Sequence, residues 1–163
     1  MTMESGQVLG TALCVDTDSN GRKVLYPQIS HLSATARAEV YWKCAIVCLA
    51  SMRKHHPQVR ICLVSNCMNP PAVDGFSVQQ ILERYGIEYC YRPFSDFCPP
   101  YELSKTFRNA FYKFEALDEL ASLGDRAMLF DTDCIASRSL LPVFQKTQNG
   151  KLGVYEVLSA EAG

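Results

Sequence analysis

Short apolar runs alternate along this chain with longer stretches in which apolar residues recur every three or four positions. The runs predict strands and the longer stretches predict helices, in the order β-α-β-α-β-α-β, followed by a turn and a last short strand. Such alternation favours a mostly parallel sheet covered by helices, with right-handed crossovers between strands. We therefore predict an α/β fold with three layers, α/β/α. The predicted strands cover residues 8–15, 59–65, 87–91, 127–130 and, near the end, 153–157.

The longest predicted helix covers residues 34–56, where apolar residues form a wide stripe and Ser33 can cap the first turn. Basic residues finish it, which suits the negative end of a helix dipole, and Pro57 stops it. We interpret His55 and His56 as part of a solvent-exposed helix end and not as metal ligands. Further helices are predicted from Asp74 or Ser77 to the cap at Gly86, across 103–123, and near 141–145.

Length and charge restrict the class of protein. With 163 residues, 48% of them apolar, the chain is long enough for one domain with a sizeable core. Its formal net charge of -1 gives no electrostatic reason to bind nucleic acid or an anionic membrane. No run approaches 18 consecutive apolar residues, so no membrane span is expected.

Eight cysteines are spread along the chain, and none forms a Cys-x-x-Cys pair of the kind that binds zinc. Several lie in apolar runs, where a free thiol behaves as a small hydrophobic side chain. The first residues lack the basic start and apolar stretch of a secretion signal. The sequence therefore predicts reduced thiols without disulfides and a cytoplasmic location.

Two carboxylates, Asp131 and Asp133, follow directly after the apolar run at 127–130. A parallel sheet ending there presents them at its carboxyl edge, where open α/β sheets place their ligands. Side chains two apart in a strand face the same side, so both carboxylates can face one ion. Hard oxygen ligands suit Mg²⁺ or Mn²⁺, which can in turn hold a diphosphate. The alternative is a strand-ending turn, where Asp is common for its own hydrogen-bonding reasons.

Residues 105–144 resemble the GT-A nucleotide-sugar glycosyltransferases. The segment 111–117 is similar to the helix before their metal motif, 125–133 resembles their strand with its Asp-x-Asp, and 140–144 resembles the short helix that follows. The order of elements fits over roughly the whole chain. The resemblance implies a Rossmann-like sheet of the GT-A type and dependence on Mn²⁺ or Mg²⁺. It also implies transfer of a sugar from a nucleotide-diphosphate sugar to an acceptor, which the sequence does not identify.

The resemblance also implies roles for five residues. Asp133 would be the direct metal ligand, and Asp131 would hold the ribose or assist the metal. Lys113 takes the place of a basic residue that approaches the diphosphate, with Arg108 nearby in the sequence. Asp16, which opens a second Asp-x-Asp, falls where the first strand meets the nucleotide base. The alternative for Lys113 and Arg108 is an ordinary solvated helix face.

In this family a second half follows the Asp-x-Asp and supplies the acceptor site. Here residues 134–163 follow it. We therefore expect a single nucleotide-sugar-binding α/β domain over residues 1–163 that lacks most of an acceptor-binding half. Such a chain is either a short family member or one that borrows residues from another chain, and its oligomeric state is left open.

Two other functions fit parts of the sequence. Residues 13–18 resemble the nucleophile strand of the haloacid-dehalogenase-like phosphohydrolases, in which Asp16 would attack phosphorus and Asp18 would donate the proton. Ser65 would then bind the phosphate, although the usual threonine two positions after the second acid is Asn20 here. The other alternative is a non-catalytic domain that binds a nucleotide sugar without turnover.

Overall fold

The computed structural model describes residues 6–15, 32–96 and 111–146. Within these ranges the fold contains six strands and four helices, in the order that the sequence predicts apart from one added hairpin. The strands are β1 (Gln7–Leu13), β2 (Arg60–Ser65), β3 (Ala72–Val73), β4 (Phe76–Ser77), β5 (Glu88–Tyr91) and β6 (Arg126–Phe130). The helices are α1 (Ala34–His55), α2 (Val78–Arg84), α3 (Tyr112–Ser122) and α4 (Leu141–Lys146).

Four strands form one parallel sheet in the order β5-β2-β1-β6. This confirms the predicted α/β class and the predicted parallel sheet. The first strand of the chain pairs with β2 on one side and with β6 on the other. From β1 the chain adds β2 and β5 on one side and then β6 on the other, so the direction in which strands are added reverses between β1 and β6. Open α/β sheets bind ligands beyond the carboxyl ends of the strands at such a reversal.

The apolar side chains of the sheet divide between two core clusters according to the side on which each strand residue points. Leu9 and Leu13 of β1 pack with residues of α1 and α2, whereas Val8 and Ala12 pack with residues of α3. This alternation is what a strand buried on both sides requires. Gly10 lets α3 approach closely, because a Cβ there would lie 2.6 Å from the Leu120 Cδ1 atom.

Helix α1 begins as predicted, with the Ser33 hydroxyl accepting a hydrogen bond from the backbone N–H of Ala36. Two details of the prediction are wrong. His56 is 1% exposed, and both of its ring nitrogens are hydrogen-bonded to backbone groups, so it is not a solvated end. The apolar stripe of α1 is also narrower than predicted, because Val47 is exposed.

Helix α2 ends in the hydrogen bonds of a Schellman motif. The N–H of Gly86 donates to the carbonyl of Glu83, and the N–H of Ile87 donates to that of Leu82. Gly86 has a φ of 60°, which confirms the predicted glycine cap. Arg53 ties this helix end to α1, since its guanidinium donates to the carbonyl oxygens of Tyr85 and Gly86 and to those of His56, Pro57 and Val59.

The hairpin of β3 and β4 lies where the sequence predicts no strand, and it excludes Asp74 as the start of α2, which Ser77 caps instead. Its two-residue turn is Asp74-Gly75, in which both residues have positive φ. An Asp-Gly pair between short strands is a strong signal for such a hairpin, and it was available in the sequence. The predicted strand at 153–157 and the first part of the helix predicted at 103–123 lie outside the described residues.

Seven cysteines fall in the described ranges, and all seven are free thiols. The eighth, Cys98, lies outside those ranges. Among the helices of residues 32–96 and 111–146, none combines the length and apolar character needed to cross a membrane.

Candidate functional site

The candidate site begins where β6 ends. The strand stops at Phe130, and the next four residues form a turn in which the N–H of Cys134 donates to the Asp131 carbonyl oxygen at 3.1 Å. Asp131 and Asp133 therefore lie in a turn and not in a strand. The alternation of side chains in a strand therefore does not apply to them, and the facing of both carboxylates toward one ion stays a prediction. Both acids are nevertheless exposed in the same four-residue turn.

Asp131 is paired with Lys113. The Lys113 Nζ atom lies 2.6 Å from the Asp131 Oδ2 atom, and the two side chains are 33% and 49% exposed. Lys113 belongs to the first turn of α3, which packs on β1 and β6, so the fold itself brings these two residues together. The structure thus unites two of the predicted site residues at the carboxyl edge of the sheet.

Asp133 makes no hydrogen bond or ion pair with the described part of the chain, and it is exposed. Its negative charge is close enough to help raise the pKa of Cys48. Within the described ranges, no group of three or more histidine, cysteine or acidic side chains is arranged to hold a metal. The turn therefore offers two carboxylates, a number that suits Mg²⁺ or Mn²⁺ when substrate phosphates complete the coordination.

The remaining predicted residues, Asp16 and Arg108, lie outside the described residues. The structure does describe Val15, the residue that precedes Asp16 in the sequence. The side-chain amide of Asn66 accepts a hydrogen bond from the Val15 N–H at 2.8 Å and donates to the Val15 carbonyl at 2.9 Å. Asn66, which follows β2, thereby fixes the backbone of the chain just after the end of β1. Sequence reasoning missed it, although an asparagine at a strand end is a common backbone-bonding residue.

Two more residues that sequence reasoning missed hold the end of β6. The Thr11 hydroxyl of β1 donates to the carbonyl of Phe130 at 2.9 Å, and the Cys48 thiol of α1 donates to that of Asp131 at 3.5 Å. Burial raises the pKa of Cys48 to about 12, with Cys134, Asp133 and Asp131 acting in the same direction. Cys48 is therefore a protonated donor at neutral pH, because deprotonation would place a thiolate in the core beside two acids.

The residue proposed to bind phosphate in the phosphohydrolase alternative is buried. Ser65 is 0% exposed, and its hydroxyl accepts a hydrogen bond from the N–H of Cys67. A phosphate-binding hydroxyl has to face the ligand, so the position of Ser65 weighs against that alternative.

A second group of charges lies on the α3 side of β5. The Arg92 guanidinium contacts the carboxylates of Glu119 at 3.1 Å, Asp96 and Asp118 at 3.2 Å, and the buried Glu115 at 3.7 Å. Because Arg92 also donates its backbone N–H to the Ser65 carbonyl, these pairs hold α3 against the end of β5. We assign this cluster to the packing of the fold.

Comparison with known protein families, curated proteins and solved structures found none that matches this chain.

Proposed function

We propose that this chain binds a nucleotide-diphosphate sugar through a divalent cation and transfers the sugar to an acceptor, as the GT-A glycosyltransferases do. The observation that carries the proposal is the contact between Lys113 and Asp131 beside the exposed Asp133. A cation and two carboxylates are thereby gathered at the carboxyl edge of a parallel sheet, next to the reversal of strand order. This combination suits a ligand that carries both a diphosphate and a metal ion.

In this proposal Lys113 exchanges partners when the ligand binds. An exposed ion pair contributes only about 0.2–1 kcal/mol, so separating Lys113 from Asp131 costs little. The freed ammonium would contact the diphosphate, and the freed carboxylate of Asp131 would join that of Asp133 as a metal ligand. Lys113 is thus a counter-ion for Asp131 before binding and a diphosphate contact afterwards.

Asp131 and Asp133 would hold Mn²⁺ or Mg²⁺, which when bound supplies positive charge to a leaving diphosphate. Lys113 would add a second positive charge on the same leaving group. The finer features of the fold belong to this proposal as well: the three-layer, Rossmann-like arrangement of the GT-A type, formed as one domain. So do a cytoplasmic location and the absence of disulfides, and a count of eight reactive thiols in the unfolded, unreduced protein tests the absence of disulfides.

Calorimetric titration of UDP, GDP and their sugars, with and without Mn²⁺, tests the proposal. We expect binding to be tighter with Mn²⁺ and Asp133→Asn to weaken the Mn²⁺-dependent binding about tenfold or more. Asp118→Asn is the matched control, because Asp118 is an exposed acid on α3 that contacts Arg92 and not the turn. Equal binding with and without Mn²⁺, or no effect of Asp133→Asn, would remove the metal site from the proposal.

The role of Lys113 has its own test. Lys113→Met should lower the affinity for a nucleoside diphosphate about tenfold and leave that for the nucleoside unchanged, since an ammonium acts on the charged part. Lys54→Met, at the exposed C-terminal end of α1, is the control. Equal losses for nucleoside and diphosphate would contradict the assignment. Tight binding of a nucleotide sugar without transfer or hydrolysis would favour the non-catalytic alternative.

A further inference from the structure

The backbone that follows β6 runs along one side of α1 and is hydrogen-bonded to it at three levels. The Cys48 thiol donates to the Asp131 carbonyl at 3.5 Å, and the Ser51 hydroxyl accepts from the N–H of Ala136 at 2.9 Å. Further along, the Nε2 atom of His56 accepts from the N–H of Leu140 at 2.7 Å. Cys48 and Ser51 lie one turn apart on α1, and His56 is the C-cap residue of the same helix, so the three contacts follow α1 to its end.

Each of the three side chains is itself fixed. The Nδ1–H of His56 donates to the carbonyl of Met52 at 2.9 Å, so Nε2 is the acceptor and the ring is neutral. The Ser51 hydroxyl donates to the carbonyl of Cys48 at 2.7 Å, which aims its lone pairs at Ala136. Cys48 is buried and donates to the same carbonyl that accepts the N–H of Cys134. The contacts therefore reach the turn that carries the two acids.

We propose that Cys48, Ser51 and His56 are positioning residues that hold the turn of Asp131 and Asp133 in the geometry that binds a metal ion. This inference rests on the proposed function. The two carboxylates are exposed. The one side-chain contact described for them, the ion pair of Asp131 with Lys113, has to break when the ligand binds and so cannot hold the turn in the complex. The hydrogen bonds to α1 fix the backbone of the turn instead, and fixing it in advance removes the ordering cost that binding would otherwise meet.

The test uses two pairs of variants, and in each pair one member removes the hydrogen bond while the other keeps it. Cys48→Ala removes the donor to Asp131 and Cys48→Ser keeps one. Ser51→Ala removes the acceptor for Ala136 and Ser51→Thr keeps it. Cys44→Ala, a cysteine one turn earlier on α1 and only partly buried, is the control. Two quantities are measured: amide hydrogen exchange across residues 131–140, and Mn²⁺ affinity in the presence of UDP, followed by the paramagnetic resonance of the ion.

We expect the alanine variants to speed exchange at Cys134 or Ala136 about fivefold, the value of one hydrogen bond, and to lower Mn²⁺ affinity by a similar factor. The serine and threonine variants should restore both quantities, and Cys44→Ala should change neither. If exchange accelerates while the affinity stays at the wild-type value, the contacts are structural and the positioning role is wrong. If the wild-type protein binds no Mn²⁺, the proposed function itself fails, whereas the exchange data still show whether α1 holds the segment.

Discussion

Asp131 is held from two directions, by its backbone and by its side chain. Its carbonyl oxygen accepts hydrogen bonds from Cys48 of α1 and from the N–H of Cys134, while its carboxylate pairs with Lys113 of α3. The backbone contact is partly buried, with the Cys48 thiol itself in the core, whereas the side-chain contact is more exposed. A ligand can therefore separate the carboxylate from Lys113 without disturbing the backbone beneath it.

The protonated state of Cys48 predicts an alkaline loss of stability. The pKa of this thiol rises from 9.0 to about 12 on folding, mainly through burial. Between those values the unfolded chain loses the proton and the folded chain keeps it, so stability is fully present below pH 9 and falls as the pH rises towards 12. The slope from this one group approaches about 1.4 kcal/mol per pH unit.

Cys48→Ala should therefore flatten the curve of unfolding free energy against pH above pH 9, as measured by urea unfolding between pH 8 and 11. Some slope should remain, because burial also raises the pKa of Tyr89 to about 12. Cys44→Ala should leave the slope as it is in the wild type. An unchanged slope for Cys48→Ala would show that this thiol does not carry the effect.

At the scale of residues, the sequence predicts the charged side chains of the candidate site better than the residues that hold them in place. Asp131, Asp133 and Lys113 are recognisable from the strand, the turn and the helix that carry them. His56 is not, because its role depends on a hydrogen bond to Leu140, which lies 84 positions further along the chain. A histidine at a helix end next to Pro57 has the local pattern of an exposed residue, and only the fold buries it.

At the scale of elements, the contact of α3 with β1 sets the position of Lys113. Leu120 of α3 lies over Gly10, where the backbone leaves just enough room for its side chain. Since Lys113 is on the same helix, the depth at which α3 packs also decides how far its ammonium stands from β6. Gly10 therefore influences the site although it lies in the core.

Gly10→Ala should destabilise the protein by about 1–3 kcal/mol in urea unfolding. The added Cβ would lie 2.6 Å from Leu120 Cδ1 and 3.0 Å from the Cys62 carbonyl oxygen, so α3 or the sheet has to shift. Shortening Leu120 to alanine in the same chain should make the two costs less than additive, because the closer of the two clashes is then gone. Strict additivity would mean that the helix contact is not the cause.

Element positions were largely predictable because the long helix and the apolar strands carry strong periodicity. The strand bounds differ from the predictions by one or two residues, as Gln7–Leu13 against 8–15 illustrates. The hairpin of β3 and β4 was missed because strands of two residues are too short to show alternation. The end of β6 at Phe130 agrees with the prediction, and the turn after it is the alternative that the sequence also offers for Asp131 and Asp133.

For the whole molecule, the alternation of elements predicts parallel strands but not their order. The order β5-β2-β1-β6 arises because the chain after α3 returns to the free edge of β1 and not to the edge of β5. No local sequence pattern predicts which of these edges β6 joins. It is the order that brings the end of β6 beside the end of β1. The two Asp-x-Asp segments, which begin at Asp16 and Asp131, thus come after two strands that are neighbours in the sheet.

The central position of β1 also bears on how the protein is made. Thr11 and Phe130, which join the two middle strands at the site, are 119 positions apart. One edge of β1 can pair with β2 early in synthesis. The other edge pairs with β6, so this pairing has to wait until residues 126–130 have left the ribosome. Contacts of such separation form late in folding, because closing a long loop costs entropy before any contact repays it. The turn of Asp131 and Asp133 is therefore among the last parts to assemble, and a chain that binds a ligand there is one whose sheet is complete.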